Sequence, residues 1–193
     1  MPYSVTSSSE TVVLAEAKAH LNVLDDNDDT YIASLVTVAR TAAEAYTKLD
    51  LVPKTIVWYM NDFPAGEIVL KDHTPLREVT TIHYLDADGT TAAVSTEDFN
   101  YDTYAEPPRI YEGYDDTWPT VYPYTDAENN VTITYASGYT TTTLPAQAKQ
   151  AILIMVADLY EHRESVAPGH LTRPVNIPTA AERLLAQIAA PVV

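Results

Sequence analysis

Apolar residues recur at helical spacing most clearly between Pro145 and His162. Ala148, Ile152, Met155, Val156 and Leu159 form one stripe, the pattern of a helix with a buried face. The opposite stripe, Gln147, Gln150, Ile154, Asp158 and Glu161, is polar at both ends and apolar in the middle. A helix that is apolar nearly all round at its centre is covered by more than one neighbour. Residues 145–162 are therefore expected to be a central helix, with Pro145 in the first turn, where a missing N–H costs nothing.

Two further helices precede it. Leu14, Ala17, Lys18 and Leu21 mark a short one over 14–22. Ile32, Leu35, Val36, Ala39, Ala42, Ala43, Tyr46 and Leu49 make the apolar face of a second over 29–49, opposite Ser34, Thr37, Thr41, Glu44 and Lys48. Its alanines permit close approach to the central helix. After Pro53 the period changes to two, and strands are expected at 55–60, 67–70, 79–85, 90–94, 99–104, 109–111 and 131–135. Asn61–Gly66 reads as a turn, and Asp86-Ala-Asp-Gly89 as a hairpin. Residues 1–10 read as a flexible start. Residues 163–178 hold three prolines and no period, an extended loop. Thr179-Ala-Ala-Glu182 has the spacing of a capping box and opens a short helix with Ala181, Leu184, Leu185 and Ile188 on one stripe. Pro191-Val-Val193 closes the chain. This apolar end either folds back on the core or docks on another chain, and the pattern leaves both open.

The fold class that follows is α+β. A helical bundle of three core helices plus a C-terminal helix carries an inserted small antiparallel β-region. The expected divisions are 1–53 with 138–164 as helical core, 54–137 as the inserted β-region, and 165–193 as a C-terminal arm and helix.

Composition narrows the function. With 27 acidic against 11 basic residues the formal charge is -16, the wrong sign for gripping the phosphates of nucleic acid or an anionic membrane. An acidic chain can still stand beside DNA as a wall that does not stick to it. No apolar run approaches the ~20 residues of a membrane helix. The first residues have neither the basic start nor the apolar core of a signal peptide. There is no cysteine, hence no disulfide and no thiolate metal site.

Catalytic constellations are missing. There is no phosphate-binding glycine loop, no HExxH and no GxSxG, and the chain has five glycines. Asp25, Asn27 and Asp29 alternate like a calcium loop, but Thr30 stands where its glycine belongs and Val36 where its glutamate belongs. These acids are expected to cap the following helix instead. His162 has Asp158 one turn before it, and with Arg163 suits the negative end of the central helix. The adjacent pairs Glu97-Asp98 and Asp115-Asp116 are expected to be solvated loop acids. We expect no catalytic residue, no metal ligand and no cofactor, and the chain is not read as an enzyme. One stretch stands out. Residues 101–124 hold tyrosines 101, 104, 111, 114, 122 and 124, Trp118 and four prolines. The plainer reading, which we take, is an irregular loop whose rings pin it to a small sheet. A contact surface of Tyr111, Tyr114, Trp118 and Tyr122 would favour a protein partner.

The order of these segments resembles the tailed-phage head–tail connector (adaptor) family, also found in prophages and gene transfer agents. The stretches that carry it are Leu14-Ala-Glu-Ala-Lys-Ala-His-Leu21, the acidic Asp25–Asp29 with Tyr31-Ile-Ala-Ser-Leu-Val36 and Ala42-Ala-Glu-Ala-Tyr-Thr47, Tyr84-Leu-Asp-Ala-Asp-Gly89, Tyr135-Ala-Ser-Gly-Tyr139, Leu144–Leu153 and Tyr160-Glu-His-Arg-Glu164. They span about Leu14 to Glu164. The resemblance implies a structural protein of the virion neck, made in the host cytoplasm. It implies a dodecameric ring under the portal that extends the DNA channel and joins head to tail. The partners implied are the portal protein, neighbouring copies of the chain, and a tail, stopper or head-completion protein, with DNA passing through unbound and no membrane involved. Portal or subunit contacts are expected at Leu184, Leu185, Ile188, Val192 and Val193, because C-terminal segments of the family engage the portal. A rival reading is a monomeric carbohydrate- or protein-binding module that uses the Tyr-rich residues 101–124.

Overall fold

The computed structural model describes residues 3–7, 9–121, 129–162 and 177–189. The chain divides into two compact units, Ser9–Val52 with Tyr139–Val193, and Met1–Ser8 with Pro53–Gly138. The fold is α+β, as expected, with four helices and two antiparallel sheets among the described residues.

The first unit is helical. It contains α1 (Leu14–Leu21), α2 (Asp29–Thr47), α3 (Ala146–Glu161) and α4 (Thr179–Leu185). Here α3 is the centre. It packs against α1, α2 and α4, which is why both of its stripes are apolar midway. Ala148, Ala151, Ile152, Leu153, Met155 and Val156 are all buried. Alanines at the α2 contact, Ala39 and Ala43, are fully buried and let the two backbones close up. Pro145 is the residue before the helix (φ -55°, ψ 137°) and not part of its first turn. On α2 the buried face is Ile32, Leu35, Val36, Ala39, Ala43 and Thr47. Lys48 takes a left-handed conformation (φ 60°) and ends the helix, so Leu49 lies beyond it. Tyr46 is exposed because the face turns onto Thr47, whose hydroxyl is satisfied by the Ala43 carbonyl at 2.9 Å.

The second unit is built of sheets. β1 (Tyr3–Ser7), β2 (Lys54–Met60), β8 (Val131–Ser137), β4 (Leu76–Leu85) and β5 (Thr91–Ala93) form one sheet in that order, and β3 (Ile68–Val69), β7 (Arg109–Glu112) and β6 (Phe99–Asp102) form another. Alternate residues of β8, namely Val131, Ile133, Tyr135 and Ser137, are buried, as period-two spacing requires. Val131, Ile133 and Tyr135 share a core with Ile56, Ile82, Phe99 and Ile110. Gly89 (φ 74°) closes the β4–β5 turn, and Asp86 Oδ1 accepts from the Asp88 and Thr90 N–H groups.

The start of the chain corrects the reading of residues 1–10 as flexible. Tyr3–Ser7 pairs antiparallel with Lys54–Trp58, Tyr3 opposite Trp58. The Tyr3 ring rests on Trp58 and His73, with centroids 5.8 and 5.2 Å away.

Candidate interaction site

At the C-terminal end, Pro178 has the extended conformation of a residue preceding a helix (φ -52°, ψ 135°), and no side-chain bond caps α4. The capping box is therefore not formed. Thr179 already lies inside the helix, so its hydroxyl is not placed to accept from the first free N–H groups. Ala181 and Leu185 are fully buried in the helical core, and Ile177, Leu184 and Ile188 pack against its margin. Of the five expected contact residues, Leu185 is thus spent on the chain's own core. Leu184 and Ile188 keep part of their surface, and Val192 and Val193 lie outside the described residues.

The aromatic stretch separates into two kinds of ring. Trp118 lies flat on Phe63, centroids 4.9 Å apart and planes within 2°. Its Nε1–H donates to the Gly66 carbonyl at 2.9 Å, and its backbone N–H to Glu112 Oε1 at 3.0 Å. It pins the segment after β7 onto the Asn61–Gly66 turn. Tyr104 and Tyr114 are instead 93% exposed, and Tyr111 is 42% exposed. The pinning reading holds for Trp118 and fails for these tyrosines. Tyr122 lies outside the described residues.

Charged side chains of the helical unit are tied between elements. Lys18 of α1 reaches Asp26 and Asp29 at 2.6 Å each. Those hydrogen bonds, first to Asp26 and then to Asp29, raise the Lys18 pKa, and the same bond lowers that of Asp26. This arrangement overturns the capping role expected of Asp25–Asp29. No side-chain bond caps α2, although Asp28 stands in the cap position. Asp28 Oδ2 accepts instead from the Tyr160 hydroxyl at 2.5 Å, and Asp25 Oδ1 from the Asn27 N–H at 3.0 Å. Glu16 meets Lys149 at 2.8 Å, and that bond above all holds the Glu16 carboxyl below its usual range.

A third group was not legible from spacing. The Arg40 guanidinium grips both oxygens of Glu10, at 2.9 and 3.2 Å, and Glu44 at 2.7 Å. Glu44 Oε1 also accepts the Leu51 N–H at 2.8 Å, and the Leu51 carbonyl accepts from the Thr11 hydroxyl at 2.9 Å. Burial opposes the charge on Arg40, but its bond to Glu10 and the charge of Glu44 outweigh that and raise its pKa. Only the Arg40–Glu44 spacing of four residues could have suggested part of this clasp.

These groups hold elements together and do not converge on a substrate position. His162 Nδ1 lies 3.5 Å from Asp158 Oδ1, the pairing their spacing suggests. Among the described residues no group of three or more His, Cys, Asp or Glu could hold a metal ion, and no helix is long and apolar enough to cross a membrane.

Known proteins place this architecture. Residues 11–98 match the family model of the phage gp6-like head-tail connector protein, so the resemblance read from the sequence holds over that stretch. No curated protein matches the chain. Among solved structures, a chain in the neck of a native gene transfer agent particle computed with C12 symmetry superposes with a TM-score of 0.75 at 20% identity, covering 100% of this chain and 97% of that one. A chain in the neck of the empty particle computed with C6 symmetry gives 0.73 at 21% identity, covering 98% and 97%. A chain in the virion of the native particle gives 0.74 at 19%, covering 98% and 96%. At these identities the likeness is one of fold, and it extends over nearly the whole of both chains.

Proposed function

We propose, on the premise that residues 11–98 belong to the head–tail connector family, that this chain is a structural connector of a tailed phage or phage-like particle. It sits in the virion neck as one subunit of a ring, extends the DNA channel and joins head to tail. The observation that carries this reading is the match of one architecture over nearly the full length, from the family pattern at 11–98 to the C-terminal helix, with chains of particle necks. A twelvefold ring accords with the symmetry of the native neck. The charge of -16 supports a lining along which DNA slides without binding.

The head-side partner in this reading is the portal protein. It is met through the end of the chain, with the exposed parts of Leu184 and Ile188 and with Val192 and Val193, while Leu185 holds α4 in place. The opposite partner is a tail or stopper protein, for which Tyr111 and Tyr114 offer rings with polar tips. The rival module that binds sugar through the Tyr-rich residues loses its best platform, because Trp118 is covered by Phe63.

The test is co-sedimentation of the purified chain with portal rings encoded beside it, followed by electron microscopy of the pellet. A collar of subunits under each portal is the expected result. A chain that stays monomeric and in the supernatant at high concentration overturns the reading.

A further inference from the structure

The four edge strands of the two sheets, β1, β5, β3 and β6, are not alike. A sheet edge carries a row of open N–H and C=O groups, and proteins blunt it by shortness, charge, proline or a bulge. β3 is two residues long and follows Glu67, β5 is three residues long, and β6 carries Asp102 and follows Asp98. β1 has none of these devices. Tyr3-Ser-Val-Thr-Ser7 is five residues long, holds no charge and no proline, and keeps one register along β2 without a shift. Four of its five residues are exposed, Val5 at 44%.

The ladder fixes which backbone groups face outward. The Leu85 N–H donates to the Asn130 carbonyl and the Gly138 N–H to the Pro75 carbonyl, so even residues of β8 bond toward β4 and odd ones toward β2. Through the pairs Trp58↔Ile133 and Ile56↔Tyr135, the even residues of β2 are taken up by β8. The odd ones, Thr55 and Val57, are taken up by Thr6 and Ser4 of β1. The N–H and C=O of Val5, at the middle of β1, therefore point out from the sheet edge, and those of positions 3 and 7 point the same way.

We propose that β1 pairs with β1 of a second copy of the chain, antiparallel and twofold about Val5, joining two five-stranded sheets edge to edge. In this register the strand is complementary to itself. Val5 meets Val5 of the other copy and Tyr3 meets Ser7, so each outward-facing residue meets another. Val5 stands opposite Ile56 and on its face of the sheet, and its counterpart covers it there. The charges agree with this pairing. The Tyr3 hydroxyl lies 3.4 Å from Asp72 and Ser7 stands opposite Lys54, so the twofold sets the acidic end of each edge against the basic end of the other. A twofold contact uses one patch on both copies, whereas a ring contact is head-to-tail. The pair is thus a property of the free chain and does not rest on the connector reading.

The test is sedimentation equilibrium of the full-length chain in about 1 M salt, where the Debye length is about 3 Å and the -16 charge of each copy is screened. The unaltered chain is expected to dimerise. Val5→Pro should weaken the dimer roughly ten-fold or more with its melting temperature unchanged, because proline removes an N–H that β2 does not use. The chain has no cysteine, so a cross-link gives a second readout that holds even if Val5→Pro fails to fold. Oxidised Val5→Cys should link into dimers several times faster than Thr6→Cys, whose counterpart lies two places along the strand instead of directly across. The inference is overturned by an unaltered chain that stays monomeric at millimolar concentration, or by Thr6→Cys linking as fast as Val5→Cys. A folded Val5→Pro chain that dimerises as the unaltered one does overturns it equally.

Discussion

The two units of this chain treat charge in opposite ways. In the helical unit several charged side chains are paired, Glu10 and Glu44 with Arg40, Glu16 with Lys149, Asp26 and Asp29 with Lys18, all but the Arg40–Glu44 pair reaching beyond one helix. The middle of α2 presents an uncharged surface as a result. In the sheet unit the Arg109–Glu67 pair is about half exposed on both sides, and Tyr104 and Tyr114 stand almost fully in water. An exposed ion pair contributes little to stability. The difference teaches that a neutral surface on an acidic protein is made by structure. Glu10 and Lys18, outside α2, are what pair its charges.

The largest test of this contrast is on the helical core. Leu185→Ala empties a fully buried site under α4, and buried Leu→Ala changes cost about 2–5 kcal/mol. Denaturant unfolding of the helical unit should shift by that amount. A cost below about 1 kcal/mol, the range of a surface change, would mean that α4 is held loosely and that the whole C-terminal end is free for the portal. If the cost is the larger one, removing residues 171–193 should destabilise the helical unit for the same reason.

The fold was largely legible because its elements announce themselves locally. The strands from β2 to β8 were readable from period two, and α2 and α3 from their apolar faces. β1 was not, because Tyr3-Ser-Val-Thr-Ser7 is mostly polar and its partner, β2, begins some fifty residues later. The fate of α4 was equally hidden. A stripe of Ala181, Leu184, Leu185 and Ile188 has the same spacing whether it covers its own core or another chain. The two misplaced caps share a cause. Local spacing suggested the acids of 25–29 and Thr179, but Lys18 and Tyr160 engage the acids and Pro178 takes the position before α4. Of the candidate site, the exposed tyrosines were visible as composition. The clasp was not, because Arg40 and Glu44 look like surface charges until Glu10 is seen beside them.

The clasp sharpens the comparison at a smaller scale. Arg40→Ala leaves Glu10 and Glu44 facing each other with the cation gone, and losing hydrogen bonds to a charged group costs about 1.5–3 kcal/mol. The loss should be read by thermal unfolding, because Glu10 then keeps only its bond from Thr37. Arg40→Ala with full stability would sink the idea that the clasp is structural. In the sheet unit Trp118→Leu removes a stacked pair worth about 0.5–1.5 kcal/mol beyond its area. Its effect should be confined to sheet-unit stability.

The smallest effect concerns the strand that the sequence concealed. Burial first, then the nearby Asp72 carboxylate and its hydrogen bond, push the Tyr3 pKa up to about 12 from the usual 10.0. A group whose pKa is raised on folding contributes stability that is complete below its unfolded value and is lost as pH climbs through its folded value. The attachment of β1 should therefore be unchanged up to pH 10 and weaken between pH 10 and about 12. Tyr3→Phe has no phenol to ionise, so it should lose this pH dependence while keeping the ring contacts with Trp58 and His73. Amide hydrogen exchange cannot follow β1 at such alkaline pH, but the ultraviolet absorbance of tyrosinate can. One titration step near pH 12 that is absent in Tyr3→Phe fits an attached strand. A Tyr3 that titrates near pH 10 with the exposed tyrosines means that β1 is frayed and that the sheet begins at β2.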